Sequence, residues 1–549
     1  MALDRLKRSV RGVKLGQLGA LSDVPFNLKV LVQAGVLGPM RPSEMLAVAA
    51  ALRGWGASPA AGITAVAIRR PDDIGVIDER GSVSFGELDS SSNALARALR
   101  AEGVQAGDSV AVMCRNHRGF VDAIFACAKL GATGLLMNTE FAGPQLAGVV
   151  EREQPKALIY DSEFSELLEE AGRGLCRVVS WVEDGATADA PTTAELTASA
   201  SRQALQPPVD PSRFVVLTSG TTGTPKGAQR GSPDSLGPLA TLLSRMPLRS
   251  QRLIHIAAPM FHSWGFMHFT LGLALGSTYV LRRRFTPEGA LQAVAEHRAD
   301  ALAVVPVMLQ RILELPLETR DRYDLSSLRV TAASGSALPG DLATRWMDAF
   351  GDNLYNLYGS TEVAWASIAT PEDMRDAPGT AGKPPHGTVV RIVDERGQVV
   401  PGGETGRIFV GNEMAFDGYT GGGGKETLGG LLSSGDVGHF DSDGRLFVDG
   451  RDDEMIVSGG ENVFPREVED VLSDHQTIDE AAVIGVADEQ FGQRLKAFVV
   501  VSEGQTLTAD EVKDHIRANL ARYKVPREVE FLSQLPRNPT GKVLKRELA

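Results

Sequence analysis

Short apolar runs alternate with helix-length amphipathic stretches through most of the chain after about residue 60. Residues 109–113 form an apolar run of strand length, and residues 120–129 read as a helix with Phe120, Ile124 and Ala128 on one face. Residues 157–160, 214–217, 301–305 and 328–333 repeat the buried-strand theme. Strands alternating with helices predict a layered α/β body. Past residue 450 the pattern restarts on a smaller scale. Residues 465–473 read as a helix with Val468, Val471 and Leu472 inward, 481–486 and 497–501 as strands, 509–522 as a second helix and 528–532 as a third strand. About 100 residues of this kind can form a core of their own. The expected fold class is α/β: a large α/β N-terminal domain of several subdomains and a small mobile α+β C-terminal domain. The expected division is a 1–60 extension, a 61–451 domain and a 452–549 domain.

Two stretches break the pattern. Residues 184–212, rich in Ala, Thr and Pro, read as a surface connection. Residues 421–430 hold a glycine run with no strand before it and no helix after it, which reads as a mobile surface loop rather than a phosphate cradle.

Composition narrows the function. The 549 residues carry a formal net charge of −13, which argues against a general nucleic-acid binder. Cys114, Cys127 and Cys176 show no CxxC spacing, so neither a disulfide framework nor a zinc site is expected, and a reducing cytoplasm is the natural compartment. No run of about 20 uninterrupted apolar residues predicts a membrane-spanning helix. The amino terminus holds two readings open. Arg5, Lys7, Arg8, Arg11 and Lys14 precede a moderately apolar stretch through Val30, Leu31, Val32, Val36 and Leu37. It reads as an extension packed on the main body, or as a peripheral contact with the inner face of the membrane.

The chemistry concentrates in seven segments. Residues 217–227 read LTSGTTGTPKG directly after a strand. Glycines let backbone amides approach a phosphate, hydroxyls add donors and Lys226 adds charge. A Walker A loop cannot be fitted to it. Further on come Ser334 to Pro339 (SGSALP), Tyr358 to Glu362 (YGSTE), Ser434 to Asp436 (SGD), Gly450 to Pro465 (GRDDEMIVSGGENVFP) and Pro539 to Lys542 (PTGK). Pro259 to Gly265 (PMFHSWG) contains His262; His255 and His268 lie near it, but no cysteine or carboxylate joins them at metal-ligand spacing.

Taken together and in this order, these segments resemble the adenylate-forming superfamily, which includes acyl-CoA synthetases, luciferases and the adenylation domains of peptide synthetases. The resemblance runs from about residue 60 to the C-terminus and is nearest to fatty-acyl-CoA synthetases. It implies ATP, Mg²⁺ and coenzyme A as reactants. Thr218, Ser219, Gly220, Thr221, Thr222, Gly223 and Lys226 would handle the β- and γ-phosphates. Gly335 and Ser336 would flank the adenine and acyl pocket, with Tyr358 packed on adenine. Thr361 would contact the α-phosphate and Glu362 would hold Mg²⁺, a role that suits a carboxylate. Asp436 would bind the ribose hydroxyls and Arg451 ribose or phosphate. Leu431 and Ser434 stand where relatives often carry tryptophan and threonine. Asp452 would be the hinge, after which Gly459 and Gly460 line the pantetheine tunnel. Lys542 would bridge the carboxylate and α-phosphate as charge builds. His262 would sit beside the substrate carboxylate, with Trp264 and Gly265 at the acyl tunnel.

The resemblance implies activation of a carboxylic acid as acyl-AMP and transfer to coenzyme A, with a medium- or long-chain fatty acid preferred as substrate. Two other readings stand beside it: an acyl-AMP ligase that delivers to a separate carrier protein, and a non-catalytic nucleotide-binding sensor.

Overall fold

The computed structural model describes residues 23–141, 143–218, 226–230, 235–414, 416–420, 422–452, 456–458, 461–488, 492–520, 524–538 and 541–548. The basic residues at positions 5–14 and most of the phosphate-loop candidates lie outside these.

Apolar runs of four or five residues become strands buried on both faces. Ala301–Val304 and Val330–Ala333 are buried at every position, as is Ala157–Asp161. Such strands suit parallel pairing under helices. An eight-stranded sheet runs, in spatial order, Ser367–Ala369, Leu354–Tyr358, Val330–Ala333, Ala301–Val304, Leu253–Ile256, Thr278–Leu281, Ile74–Asp78 and Gly81–Ser84. Its six inner strands are parallel and both edge strands antiparallel. A seven-stranded sheet runs Phe416–Tyr419, Lys226–Arg230, Phe214–Thr218, Thr133–Leu136, Ser109–Met113, Ala157–Asp161 and Cys176–Trp181. Its first two strands are antiparallel and the rest parallel.

The helices follow local rules. Arg118–Leu130 starts at His117, whose Nδ1 accepts the Gly119 N–H at 3.0 Å, and stops at Gly131 in the left-handed region. Its buried face joins Phe120, Ile124 and Phe125 to the principal core.

A third sheet, antiparallel, joins Val389–Val393, Gly406–Gly411, Leu431–Phe440 and Thr427–Leu428, with Leu446–Arg451 paired to Leu431–Phe440. The fourth follows Arg451. Glu461–Val463, Ile456–Ser458, Gly492–Val501 and Ile478–Asp488 pair in order, and Glu528–Phe531 adds in parallel. The helices Pro465–Ser473 and Ala509–Asn519 cover it, and Val468, Leu472, Val483, Val499, Val512 and Ile516 close a separate core. The chain is therefore mixed α/β, with a large N-terminal part and a smaller C-terminal one.

The helix Pro59–Arg69 runs through residue 60, and Val30 and Leu31 of the earlier helix Val24–Gln33 enter the principal core. One segment differs from the sequence reading. The stretch after the glycine run is not a plain loop: Thr427–Leu428 turns back on Leu431–Phe440 as a hairpin. No described helix is long and apolar enough to cross a membrane.

Candidate active site

Strand register creates the first pair. Leu431–Phe440 and Leu446–Arg451 are antiparallel, and their ladder sets Asp436 directly opposite Arg451. Arg451 Nη1 donates to Asp436 Oδ1 at 3.2 Å. The Tyr358 hydroxyl, arriving from the C-terminal end of Leu354–Tyr358 in the eight-stranded sheet, donates to Asp436 Oδ2. Two sheets thus meet on one carboxylate. Burial raises the Asp436 pKa, against the pull of Arg451, the Tyr358 hydroxyl and the Lys542 ammonium. Burial, and then the neighbouring Asp436 charge, push the Tyr358 phenol well above its usual value, so it stays a donor.

The turn after Tyr358 builds the second cluster. Glu362 accepts from Ser360 Oγ at 2.9 Å and from the Tyr419 hydroxyl at 2.7 Å. Tyr419 ends the strand Phe416–Tyr419, which pairs with Lys226–Arg230, and Lys226 Nζ lies 5.4 Å from the centre of its ring. Tyr419 therefore joins the end of the phosphate-loop motif to the carboxylate. Asn412 holds the same turn from behind, its Nδ2 donating to the carbonyls of Val363 at 2.8 Å and Trp365 at 2.9 Å. Thr361 Oγ1 stands 3.4 Å from Ser263 Oγ.

His262 precedes the helix Ser263–Leu275. Its Nε2 is sealed from solvent and has no hydrogen-bond partner among the described residues. Burial lowers its pKa from 6.5 to about 4, which leaves a neutral imidazole with one unanswered polar atom. Trp264, which the resemblance puts at the acyl tunnel, is held in place. It is buried, its indole N–H donates to the Val304 carbonyl at 2.9 Å, and His268 packs edge-on against it. Gly265 is a packing requirement, since a Cβ there would stand 2.3 Å from the Pro259 carbonyl oxygen.

Residues 304–307 form a corner that three motifs share. Trp264 bonds to Val304 and Gly335 backs onto Val305, where its φ of +99° excludes most side chains. Gly541 sits against Val307 so closely that a Cβ would approach to 2.3 Å. Gly541 is thereby seated on the large part, and the charge of the adjoining Lys542 works to lower the Asp436 pKa. Asp452 donates its backbone N–H to the Gly435 carbonyl at 3.1 Å and accepts from Arg407 Nε at 2.8 Å. Arg407 also pairs with Glu426, so the stretch after the glycine run borders the junction between the two parts.

Thr218 closes its strand, while Ser219, Gly220, Thr221, Thr222 and Gly223 lie outside the described residues, as do Gly459 and Gly460. Ser336 follows Gly335, half-buried. Sequence reading passed over Tyr419, Ser360, Asn412 and Ser263. The Gly418-Tyr419 pair just before the glycine run was the available signal for the first.

The arrangement suits a polyanionic ligand bearing vicinal hydroxyls. Asp436 can accept from hydroxyls, Arg451, Lys226 and Lys542 supply positive charge, and Glu362 with Thr361 offers hard oxygens. Comparison with known proteins agrees. The AMP-binding enzyme family profile matches residues 63–420, and that of the AMP-binding enzyme C-terminal domain matches residues 467–542. The chain is 34% identical over 474 residues to a feruloyl-CoA synthase of Amycolatopsis sp, covering 85% of this chain and 93% of that one. It is 33% identical over 472 residues to an indoleacetate–CoA ligase of Aromatoleum aromaticum, covering 84% and 92%. The solved structure of the anthranilate CoA ligase AuaEII in complex with anthranoyl-AMP superposes with a TM-score of 0.80 at 26% identity, covering 89% of this chain and 96% of that one.

Proposed function

Since the chain belongs to the AMP-binding enzyme family, we propose that it is an acid–coenzyme A ligase that activates an aromatic or arylalkanoic acid as its acyl-adenylate. The observation that carries this is the meeting of Tyr358 and Arg451 on Asp436, with Gly541, the neighbour of Lys542, packed on Val307.

In the first half-reaction a carboxylate oxygen of the acid attacks the α-phosphorus of ATP and pyrophosphate leaves. Asp436 holds the ribose and Arg451 the ribose or phosphate. Lys542 balances the charge that accumulates between carboxylate and α-phosphate. His262, neutral and otherwise unpartnered, orients the carboxylate. Glu362 and Thr361 fit Mg²⁺: both offer oxygen donors, and Ser360 and Tyr419 fix the carboxylate without exhausting its lone pairs. Bound there, Mg²⁺ would neutralise phosphate charge. In the second half-reaction the coenzyme A thiolate attacks the acyl carbonyl and AMP leaves. The C-terminal part turns about Asp452 between the two steps, and Gly459 and Gly460 line the pantetheine path.

The acid class rests on two supports. The compared relatives act on feruloyl, indoleacetate and anthranilate groups. Trp264 is hydrogen-bonded into the wall, which favours a short fixed pocket over a long gated tunnel. The test is AMP release from ATP and Mg²⁺ over cinnamate-like, arylacetic, benzoic and fatty acids, each with and without coenzyme A. Aryl-acid turnover that needs coenzyme A is expected. Preference for long-chain acids would overturn the acid class. Acid-dependent pyrophosphate exchange indifferent to coenzyme A would point to a carrier-protein acceptor, and no acid-dependent turnover to a sensor.

A further inference from the structure

The stretch after the glycine run carries a cation that neither half-reaction uses. Gly429 and Gly430, with φ of +57° and +87°, make the two-residue turn of a hairpin, a place that favours glycine. Thr427 pairs with Leu432, and one step further along the ladder the Ser433 N–H donates to the Glu426 carbonyl at 2.8 Å. The register thereby carries Lys425 back to the Ser434-Gly435-Asp436 segment.

Neighbouring residues of an extended chain point to opposite sides. Glu426 goes to Arg407, and Lys425 goes to Gly435. A methyl group built on Gly435 would meet the Lys425 ammonium at 3.4 Å and the Arg451 guanidinium at 3.2 Å. Two cations thus stand together over one glycine, beside the carboxylate on which the proposed nucleotide site is built.

The nearby carboxylates are engaged elsewhere. Arg407 pairs with both Glu426 and Asp452, and Asp436 accepts from Arg451 and from the Tyr358 hydroxyl. Among the described residues, none forms an ion pair or hydrogen bond with Lys425, which is half-buried. Cations held side by side repel, and an anion placed between them relieves the repulsion. A phosphate group has acceptor oxygens enough for a planar guanidinium and an ammonium at once. We propose that Lys425 and Arg451 form a phosphate-binding pair at the junction of the two parts. The phosphate belongs to ATP or to coenzyme A, which share this chemistry. This inference rests on the nucleotide-binding reading of Asp436 and Arg451 and adds Lys425 to it.

The experiment compares full-length wild type, Lys425→Ala and Lys425→Arg. ATP binding is measured by calorimetry with Mg²⁺ present, and coenzyme A by its KM in thioester formation from supplied acyl-AMP. Lys425→Ala should weaken one of the two about tenfold, and Lys425→Arg should restore most of the loss. A loss confined to ATP names ATP as the source of the phosphate, and a loss confined to coenzyme A names coenzyme A. Thermal unfolding of both variants should match the wild type, since no described side chain leans on the Lys425 ammonium. Unchanged values for both ligands in Lys425→Ala would overturn the proposal. So would a loss that Lys425→Arg does not restore, or one that comes with a lowered unfolding temperature, because either marks a structural role. A wild type that binds no ATP and uses no coenzyme A would overturn the nucleotide-binding reading as well.

Discussion

Lys542 and His262 divide the residue-scale chemistry. The Lys542 backbone N–H donates to Asn538 Oδ1 at 2.9 Å, and the charge of its ammonium works to lower the Asp436 pKa across the junction of the two parts. Lys542→Ala should slow acyl-adenylate formation about 10²–10³-fold, the range for removing one positioned group that stabilises developing charge. Thioester formation from supplied acyl-AMP should be spared, because the group is needed only while pyrophosphate departs. Single-turnover measurement of each half-reaction checks this, and equal losses in both would refute the division. Burial leaves His262 uncharged at neutral pH, so the role proposed for it is orientation.

At the scale of elements, Gly406–Gly411 carries the tether of the hinge. Arg407 on this strand bonds Asp452 at 2.8 Å and also engages Glu426. Asp452 is the residue about which the C-terminal part is proposed to turn, so Arg407 favours the arrangement in which Gly541 and Lys542 lie on the large part. The pair is partly exposed, at 28% for Arg407 and 38% for Asp452, and such a pair is worth about 0.5–1 kcal/mol. Arg407→Ala should therefore lower the adenylation rate about two- to fivefold and leave the thioester step unchanged. Comparable slowing of both steps in stopped-flow assays would mean that the tether does not discriminate between them.

For the whole molecule, buried titratable groups set the response to acid. Burial lowers His255, His262 and His268 from 6.5 to about 4. Below pH 6.5 the unfolded chain takes up these protons and the folded chain does not, so each histidine removes stability as pH falls toward 4. Asp122 works the other way. Burial raises it from 3.8 to about 6, so the folded chain binds its proton first and gains stability below pH 6. It offsets one histidine. The buried histidines outnumber it, so stability should fall as pH drops from 6.5 toward 4, by at most about 1.36 kcal/mol per pH unit for each unopposed group. Urea midpoints measured from neutral to mildly acid pH should fall within this bound. A flat profile would contradict the burial of these rings.

The sequence alone determined what neighbours along the chain decide. Apolar runs of strand length at 109–113, 157–160 and 301–305 became strands because a stretch that apolar must be covered on both faces. Tyr358, Glu362, Asp436, Arg451 and Lys542 were singled out by the resemblance of the short motifs that hold them, and the structure brings Tyr358 and Arg451 onto Asp436. Tertiary structure decided what depends on register and sheet order. Tyr419 and Glu362 are 57 residues apart, and only the pairing of Phe416–Tyr419 with Lys226–Arg230 brings them together. The resemblance puts Trp264 at an acyl tunnel, and only the tertiary structure shows its indole hydrogen-bonded to Val304, 40 residues distant along the chain. Long-range contacts of this kind follow from which strands become neighbours, and local periodicity carries no record of that choice.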